Sequence, residues 1–274
     1  MTIDAHQHFW FYDPERDSWI TEEMQAIRRD FLPADLEPVL QENGINGCVA
    51  VQASQSEEET LFLAQLAQAY GFIKGVVGWV DLRSETVYER LEAFSQIEEI
   101  KGFRHVVQAE PEDFMTRPEF IRGIRQLTAF DFTYDILIYP NQLKAALQLV
   151  QAVPEVKFII DHLAKPYIKE QKINTWSNYM AEIAKSPNVY CKVSGMVTEA
   201  DWHNWSKKDF FPYLDVLFEH FGPDRLVYGS DWPVCLVAAN YTQVKNLIEE
   251  YVEPWGPAVR DKVFGGNAVA FYNL

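Results

Sequence analysis

Short apolar runs alternate along the chain with longer stretches whose apolar residues recur every three or four positions. The runs Thr2–His6, Gly47–Gln52, Ile73–Val80, Gly102–Val107, Tyr134–Ile138, Phe158–Asp161, Val189–Ser194 and Leu226–Gly229 are rich in Val, Ile, Phe and Tyr. Their composition and length predict fully buried strands. Between them, Leu61, Ala64, Leu66 and Ala69 keep helical spacing, as do Leu143, Ala146, Leu147 and Val150, and Tyr213, Leu217, Phe218 and Phe221. Gly44, Gly71 and Gly222 stand where helices should stop, and Pro154 and Pro187 just before strands. Strand–helix alternation repeated about eight times predicts a parallel α/β fold. Eight strands in this length favour a (β/α)8 TIM barrel, one domain over residues 1–274, above a doubly wound sheet. No glycine-rich phosphate loop follows the first strand, which weighs against nucleotide binding. Residues 9–32 form a long polar and aromatic insertion after that strand, expected to lie over the C-terminal mouth of the barrel.

Composition narrows the partners. The 274 residues are 48% hydrophobic and 14% aromatic, enough for a substantial core and too aromatic for disorder. A formal charge of −16 argues against nucleic acid or an anionic membrane as the main partner, because neutralising phosphates takes clustered Lys and Arg. It says little about small molecules, since a local pocket can differ from the whole. Cys48, Cys191 and Cys235 are too few and too scattered for a disulfide framework or a zinc knuckle, and read as buried thiols in a reducing compartment. The start of the chain has no basic segment followed by an apolar run, and no stretch nears the roughly 18 apolar residues of a membrane span. The cytoplasm is the expected location, and the oligomeric state is left open.

The candidate chemistry gathers at strand ends. His6-Gln7-His8 follows the first strand, where residues i and i+2 point the same way, so two imidazoles can converge on one cation. Alone the pair reads equally well as two polar loop residues. Strand six ends Ile159-Ile160-Asp161-His162 and strand eight ends Tyr228-Gly229-Ser230-Asp231-Trp232-Pro233. A His or Asp at the C-terminal end of a barrel strand points into the site, where a purely structural duty is harder to find. His6, His8, His162 and Asp231 therefore make an N3O set suited to one zinc-like ion or to orienting one water.

The runs Ile3-Asp4-Ala5-His6-Gln7-His8-Phe9-Trp10, Asp161-His162-Leu163-Ala164-Lys165-Pro166 and Gly229-Ser230-Asp231-Trp232-Pro233 resemble the amidohydrolase superfamily, of the amidohydrolase 2 type. Lys192-Val193-Ser194-Gly195 and the closing Gly266-Asn267-Ala268 with Phe271-Tyr272 are similar to the branch that holds sugar-acid lactonases. Gly75–Leu82 and Arg104–Gln108 carry a narrower likeness to L-fuconolactonase-like and L-rhamnonolactonase-like hydrolases. The resemblance implies a hydrolase that opens a sugar-acid lactone by attack of an activated water, with Asp231 as general base. His162, His105 and Arg104 join it as catalytic candidates, and Trp10, Gln52, Trp79, Lys165 and Trp232 as substrate-binding ones.

Two alternatives stay open: a decarboxylase or hydratase of a small unsaturated or aromatic acid on the same scaffold, and a non-catalytic ligand-binding barrel. The superfamily's two-metal pattern would need a carbamylated lysine on strand four and a histidine on strand five. Strand four offers Arg104 and His105, Lys101 sits at its wrong end, and strand five runs Tyr134-Asp135-Ile136-Leu137. At most one divalent metal is expected, zinc by preference, held by His6, His8, His162 and Asp231, or none at all. No G-x-S-x-G, H-E-x-x-H, C-x-x-C or Walker motif is present.

Overall fold

A computed structural model describes all 274 residues. The strands form where the apolar runs lie, with ends shifted by no more than two residues from the sequence expectation. They are β1 (Ile3–Gln7), β2 (Gly47–Val51), β3 (Ile73–Gly78), β4 (Ile100–Val106), β5 (Thr133–Leu137), β6 (Phe158–Ile160), β7 (Val189–Val193) and β8 (Leu226–Tyr228). Neighbours in sequence pair in parallel in the order β1 to β8. The ring closes just past the ends of β1 and β8, where Asp231 N–H donates to His6 C=O and His8 N–H to Trp232 C=O, each at 2.8 Å. The fold is a (β/α)8 barrel.

The connecting helices are α1 (Pro33–Glu42), α2 (Glu57–Ala69), α3 (Val87–Phe94), α4 (Pro118–Gln126), α5 (Leu143–Ala152), α6 (Asn174–Ala184), α7 (Lys207–His220) and α8 (Tyr241–Val252). Local signals start several of them. Ser56 Oγ accepts from Glu59 N–H at 3.1 Å, Asn240 Oδ1 from Gln243 N–H at 2.9 Å, and Pro33 and Pro118 occupy first turns. Two short helices follow, α9 (Pro257–Asp261) and α10 (Asn267–Tyr272).

Strand pleating splits the apolar residues into two cores. The larger packs the outward side chains of the sheet against the helices. The smaller fills the barrel with Ile3, Ala5, Val51, Ile159 and Val227, and α10 seals it from below with Phe271 and Tyr272. Apolar filling from below leaves the upper part of the barrel and its C-terminal mouth to polar side chains. The residues after β1 leave and return at one point, where Trp10 and Phe31 exchange backbone hydrogen bonds of 2.9 Å. No helix is long and apolar enough to cross a membrane.

Candidate active site

On β1 the pleat sends Ile3 and Ala5 into the barrel and Asp4 outward, where its carboxylate accepts from Ser230 N–H (2.8 Å) and Tyr241 OH (3.0 Å). The pairing register then slips between Asp4 and Gln7. Such an irregularity re-aims side chains. His6 and His8 both enter the mouth, while Gln7 points out and its Nε2 donates to Cys48 Sγ at 3.3 Å.

Three imidazoles surround one carboxylate oxygen. Asp231 Oδ1 lies 3.4 Å from His8 Nε2, 3.7 Å from His162 Nε2 and 3.9 Å from His6 Nε2. His8 Nδ1–H donates to Val51 C=O at 2.7 Å, which orients the ring with Nε2 toward the carboxylate. His162 Nδ1 meets Ser194 Oγ at 2.9 Å. Burial pushes the His6 and His162 imidazoles well below their ordinary pKa, with Lys192 adding to the effect on His6. Burial would raise Asp231, but His162 and His8 outweigh it and hold the carboxyl below its usual range. Neutral imidazoles around an ionised carboxylate are the protonation states that a metal or a polarised water needs.

The donor set fits one divalent cation. The ligand atoms of His6, His8 and Asp231 all lie within 4.8 Å of one another, as do those of His6, Asp161 and His162. Tetrahedral zinc with bonds of about 2.0–2.1 Å puts its donors about 3.4 Å apart, close to the separations seen here. Lys101, whose residue type would suit a second metal, lies at the opposite end of its strand, with Nζ 3.2 Å from Asn273 C=O.

Beneath His6 lies a buried ionic network that sequence reasoning did not assemble. Arg104 Nη1 reaches His6 Nε2 (3.2 Å) and Asp161 Oδ2 (3.0 Å), and its Nη2 donates to Gln52 C=O. Lys192 Nζ contacts Asp135 Oδ2 (2.5 Å), Asp161 Oδ1 (3.0 Å) and His6 Nδ1 (3.1 Å). Tyr272 OH, rising from α10, donates to Asp135 Oδ2 at 2.9 Å. Burial pushes Asp135 up to about 6 against the pull of Lys192, whereas Lys192 and Arg104 together overcome burial and hold Asp161 low. The available signal was a lysine inside the apolar strand run Val189–Val193, which cannot be buried without acidic partners.

The turn after β6 carries four left-handed residues, His162 to Lys165, and Asp231 is left-handed as well (φ 60°). Backbone of this kind costs free energy and collects at functional sites. Gly195 makes the turn's fit sterically possible: a Cβ there would stand 2.5 Å from His162 Nδ1, and its φ is +61°. At Gly229 a Cβ would lie 2.6 Å from that of His6.

A cavity of about 390 Å³ opens above these groups, bounded by His8, Arg104, His162, Lys165 and Asp231. Arg16, Asp17 and Trp19 from the segment after β1 and Gln108 after β4 complete its wall, and none of the four was singled out as a site residue from sequence. Other candidates lie elsewhere. His105 faces out of the barrel, stacked on Phe114 (4.8 Å between centroids) with Nε2 on Glu110 Oε1 at 3.0 Å. Strand parity explains this, since Arg104 beside it faces in. Trp79 Nε1–H donates to His105 Nδ1 at 3.2 Å on that same outer side. Trp10 packs between Trp19 and Phe31, and Trp232 against Phe31 and Phe9; each is only 3% exposed. Gln52 is fully buried, its Nε2 donating to Arg104 C=O at 3.2 Å.

The chain matches the amidohydrolase family over residues 3–274. It is 36% identical to an L-fucono-1,5-lactonase of Burkholderia multivorans, covering 100% of this chain and 96% of that protein. An L-fucono-1,5-lactonase of Burkholderia ambifaria is likewise 36% identical, over 99% of this chain and 95% of its own length. Among solved structures, a Burkholderia multivorans amidohydrolase with bound zinc superposes with a TM-score of 0.97 at 37% identity, covering 100% of this chain and 99% of the other.

Proposed function

The chain belongs to the amidohydrolase family, and from that premise we propose that it hydrolyses the lactone of a six-carbon sugar acid, of the L-fucono-1,5-lactone kind. The observation that carries this reading is the Asp231 carboxylate ringed by three imidazoles at 3.4–3.9 Å on the wall of a cavity of about 390 Å³. The two lactonase relatives support the substrate class.

Asp231, ionised in this setting, orients a water between itself and His8 and takes a proton from it as the water oxygen bonds to the lactone carbonyl carbon. The oxyanion so formed needs donors already in place. Arg104, whose buried Nε has no partner, and Lys165 line the cavity and supply them. The bond between the carbonyl carbon and the ring oxygen then breaks. Asp231 returns the proton to the departing alkoxide, and the acid ionises to a carboxylate. His6 and His162 remain neutral and hold Asp231 in place. His6, His8, His162 and Asp231 would hold a divalent metal, with zinc proposed on the N3O donor set, and a bound metal would acidify water and polarise a carbonyl. The segment over residues 9–32 contributes Arg16, Asp17 and Trp19 to the cavity wall, and we assign it the shielding of the mouth.

The test is proton release, followed with a pH indicator, across a panel of aldonolactones with and without a chelator. Turnover of a six-carbon 1,5-lactone well above its spontaneous opening is expected. A panel without any enzyme-dependent proton release overturns the reading.

A further inference from the structure

We propose that the cavity selects lactones without a second carboxylate, and that Gln108 is the residue that recognises their hydroxyls; this rests on the lactone-hydrolase reading. Three cations line the cavity: Arg16, Arg104 and Lys165. Each is already paired with a carboxylate. Arg16 Nη2 lies 2.7 Å from Asp17 Oδ2, Arg104 Nη1 3.0 Å from Asp161 Oδ2, and Lys165 Nζ 2.7 Å from Glu199 Oε1. The charge of every lining cation is therefore already balanced by a carboxylate, although donor atoms such as Arg104 Nε remain unpaired. A second carboxylate would bring a permanent negative charge beside Asp17 and Asp231, which line the same space, whereas the oxyanion forms only as Asp231 takes up a proton. Like charges brought together in a partly desolvated site are strongly disfavoured. A formal charge of −16 over the whole chain adds repulsion at longer range. An uncharged sugar ring meets neither obstacle.

The same compensation bears on the other reactions of the scaffold. A decarboxylase or hydratase that anchored a substrate carboxylate on Arg104 would need that guanidinium's charge uncompensated, and here Asp161 balances it. It also bears on product departure. Hydrolysis turns a neutral lactone into an anion, which a mouth whose cations are all charge-balanced releases.

Gln108 supplies the positive recognition. Its side chain lines the cavity, and its Oε1 is buried with no hydrogen-bond partner in the protein. A buried acceptor left unpaired is costly, so the site gains when a ligand donor reaches it. An amide offers a donor and an acceptor side by side, matching a hydroxyl, which both gives and takes a hydrogen bond. Trp19, 42% exposed on the same wall, offers an apolar face for the C–H side of a sugar ring.

The experiment is calorimetric binding of two ring analogues that are not hydrolysed. One is an uncharged aldono-δ-lactam, and the other is the same ring with its exocyclic CH2OH oxidised to a carboxylate. The wild-type protein is expected to bind the uncharged lactam at least about tenfold tighter. Gln108→Leu should weaken that lactam about tenfold, the scale of one lost hydrogen bond plus an unpaired ligand hydroxyl. Glu199→Gln, which frees the Lys165 ammonium, should tighten the carboxylate lactam alone. Equal or tighter wild-type binding of the carboxylate lactam overturns the selection by charge. An unchanged affinity in a folded Gln108→Leu overturns its part in recognition. If the lactams rank as expected but no lactone is hydrolysed, the selectivity stands and the lactone-hydrolase reading falls. If neither lactam binds, both are overturned.

Discussion

Arg104 and His105 are adjacent on β4, yet the pleat sends the first onto His6 and the second against Phe114 and Glu110. The two positions should therefore respond oppositely to mutation. His105→Ala is expected to lower stability by about 1–3 kcal/mol, through lost stacking and one lost hydrogen bond, while leaving kcat within a few-fold of wild type. Arg104→Met should lower kcat by about 10²–10³, the usual loss when a preorganised oxyanion donor is removed. Denaturant melts and steady-state kinetics on both variants check the contrast. Gly195 is a second such position. Gly195→Ala places a methyl against the His162 ring and puts a side chain at φ +61°. A destabilisation of about 1–2 kcal/mol from the backbone alone is expected, with a fall in kcat as His162 shifts.

At the scale of elements, β1, β6 and β8 announced themselves because each couples an apolar run to a His or Asp at its end. The alternation of strand and helix was legible for the same reason: burial on both faces demands continuous Val, Ile and Phe, and amphipathic helices demand their own period. The register slip that brings His6 and His8 into one mouth was not legible, because it depends on the pairing of β1 with β2. Nor was the inward turn of Lys192 or the rise of Tyr272 from α10, since contacts across the barrel leave no local period. His105 was misplaced for a simpler reason: it was put in the mouth together with Arg104, although adjacent residues of one strand face opposite ways. The network under His6 should behave as a unit. Lys192→Met leaves Asp135 and Asp161 short of a cation and is expected to cost about 3–5 kcal/mol, whereas Lys192→Met with Asp135→Leu recovers part of it. Unfolding curves of the single and double variants measure the difference, and additive losses would show that the network is not coupled.

Across the whole molecule, acidic groups set how stability varies with pH. Glu59 sits in the first turn of α2, and its carboxylate accepts from the backbone N–H groups of Ala53 (3.2 Å) and Ser54 (2.5 Å), two residues that line the cavity. Burial pushes it from 4.5 up to about 7, against the pull of those hydrogen bonds. A carboxyl whose pKa rises on folding holds its proton more tightly when folded, so its stabilising effect is complete below 4.5 and is lost as pH rises to about 7. Relative to Glu59→Gln, which cannot ionise, the wild-type protein should lose roughly a few degrees of Tm between pH 5 and pH 8. Parallel Tm profiles for the two proteins would contradict the assignment.

The barrel, its sealed base and its polar mouth together amount to a scaffold that holds one ionised carboxylate among three imidazoles. Asp231→Asn tests that directly, because the amide keeps the shape and hydrogen bonding of the side chain but cannot take a proton from water at neutral pH. With the best lactone of the panel, indicator-monitored kcat should fall by about 10²–10⁴ while Tm and lactam affinity stay near wild type. A folded Asp231→Asn protein that keeps more than about a tenth of wild-type kcat would place the base elsewhere and contradict the account.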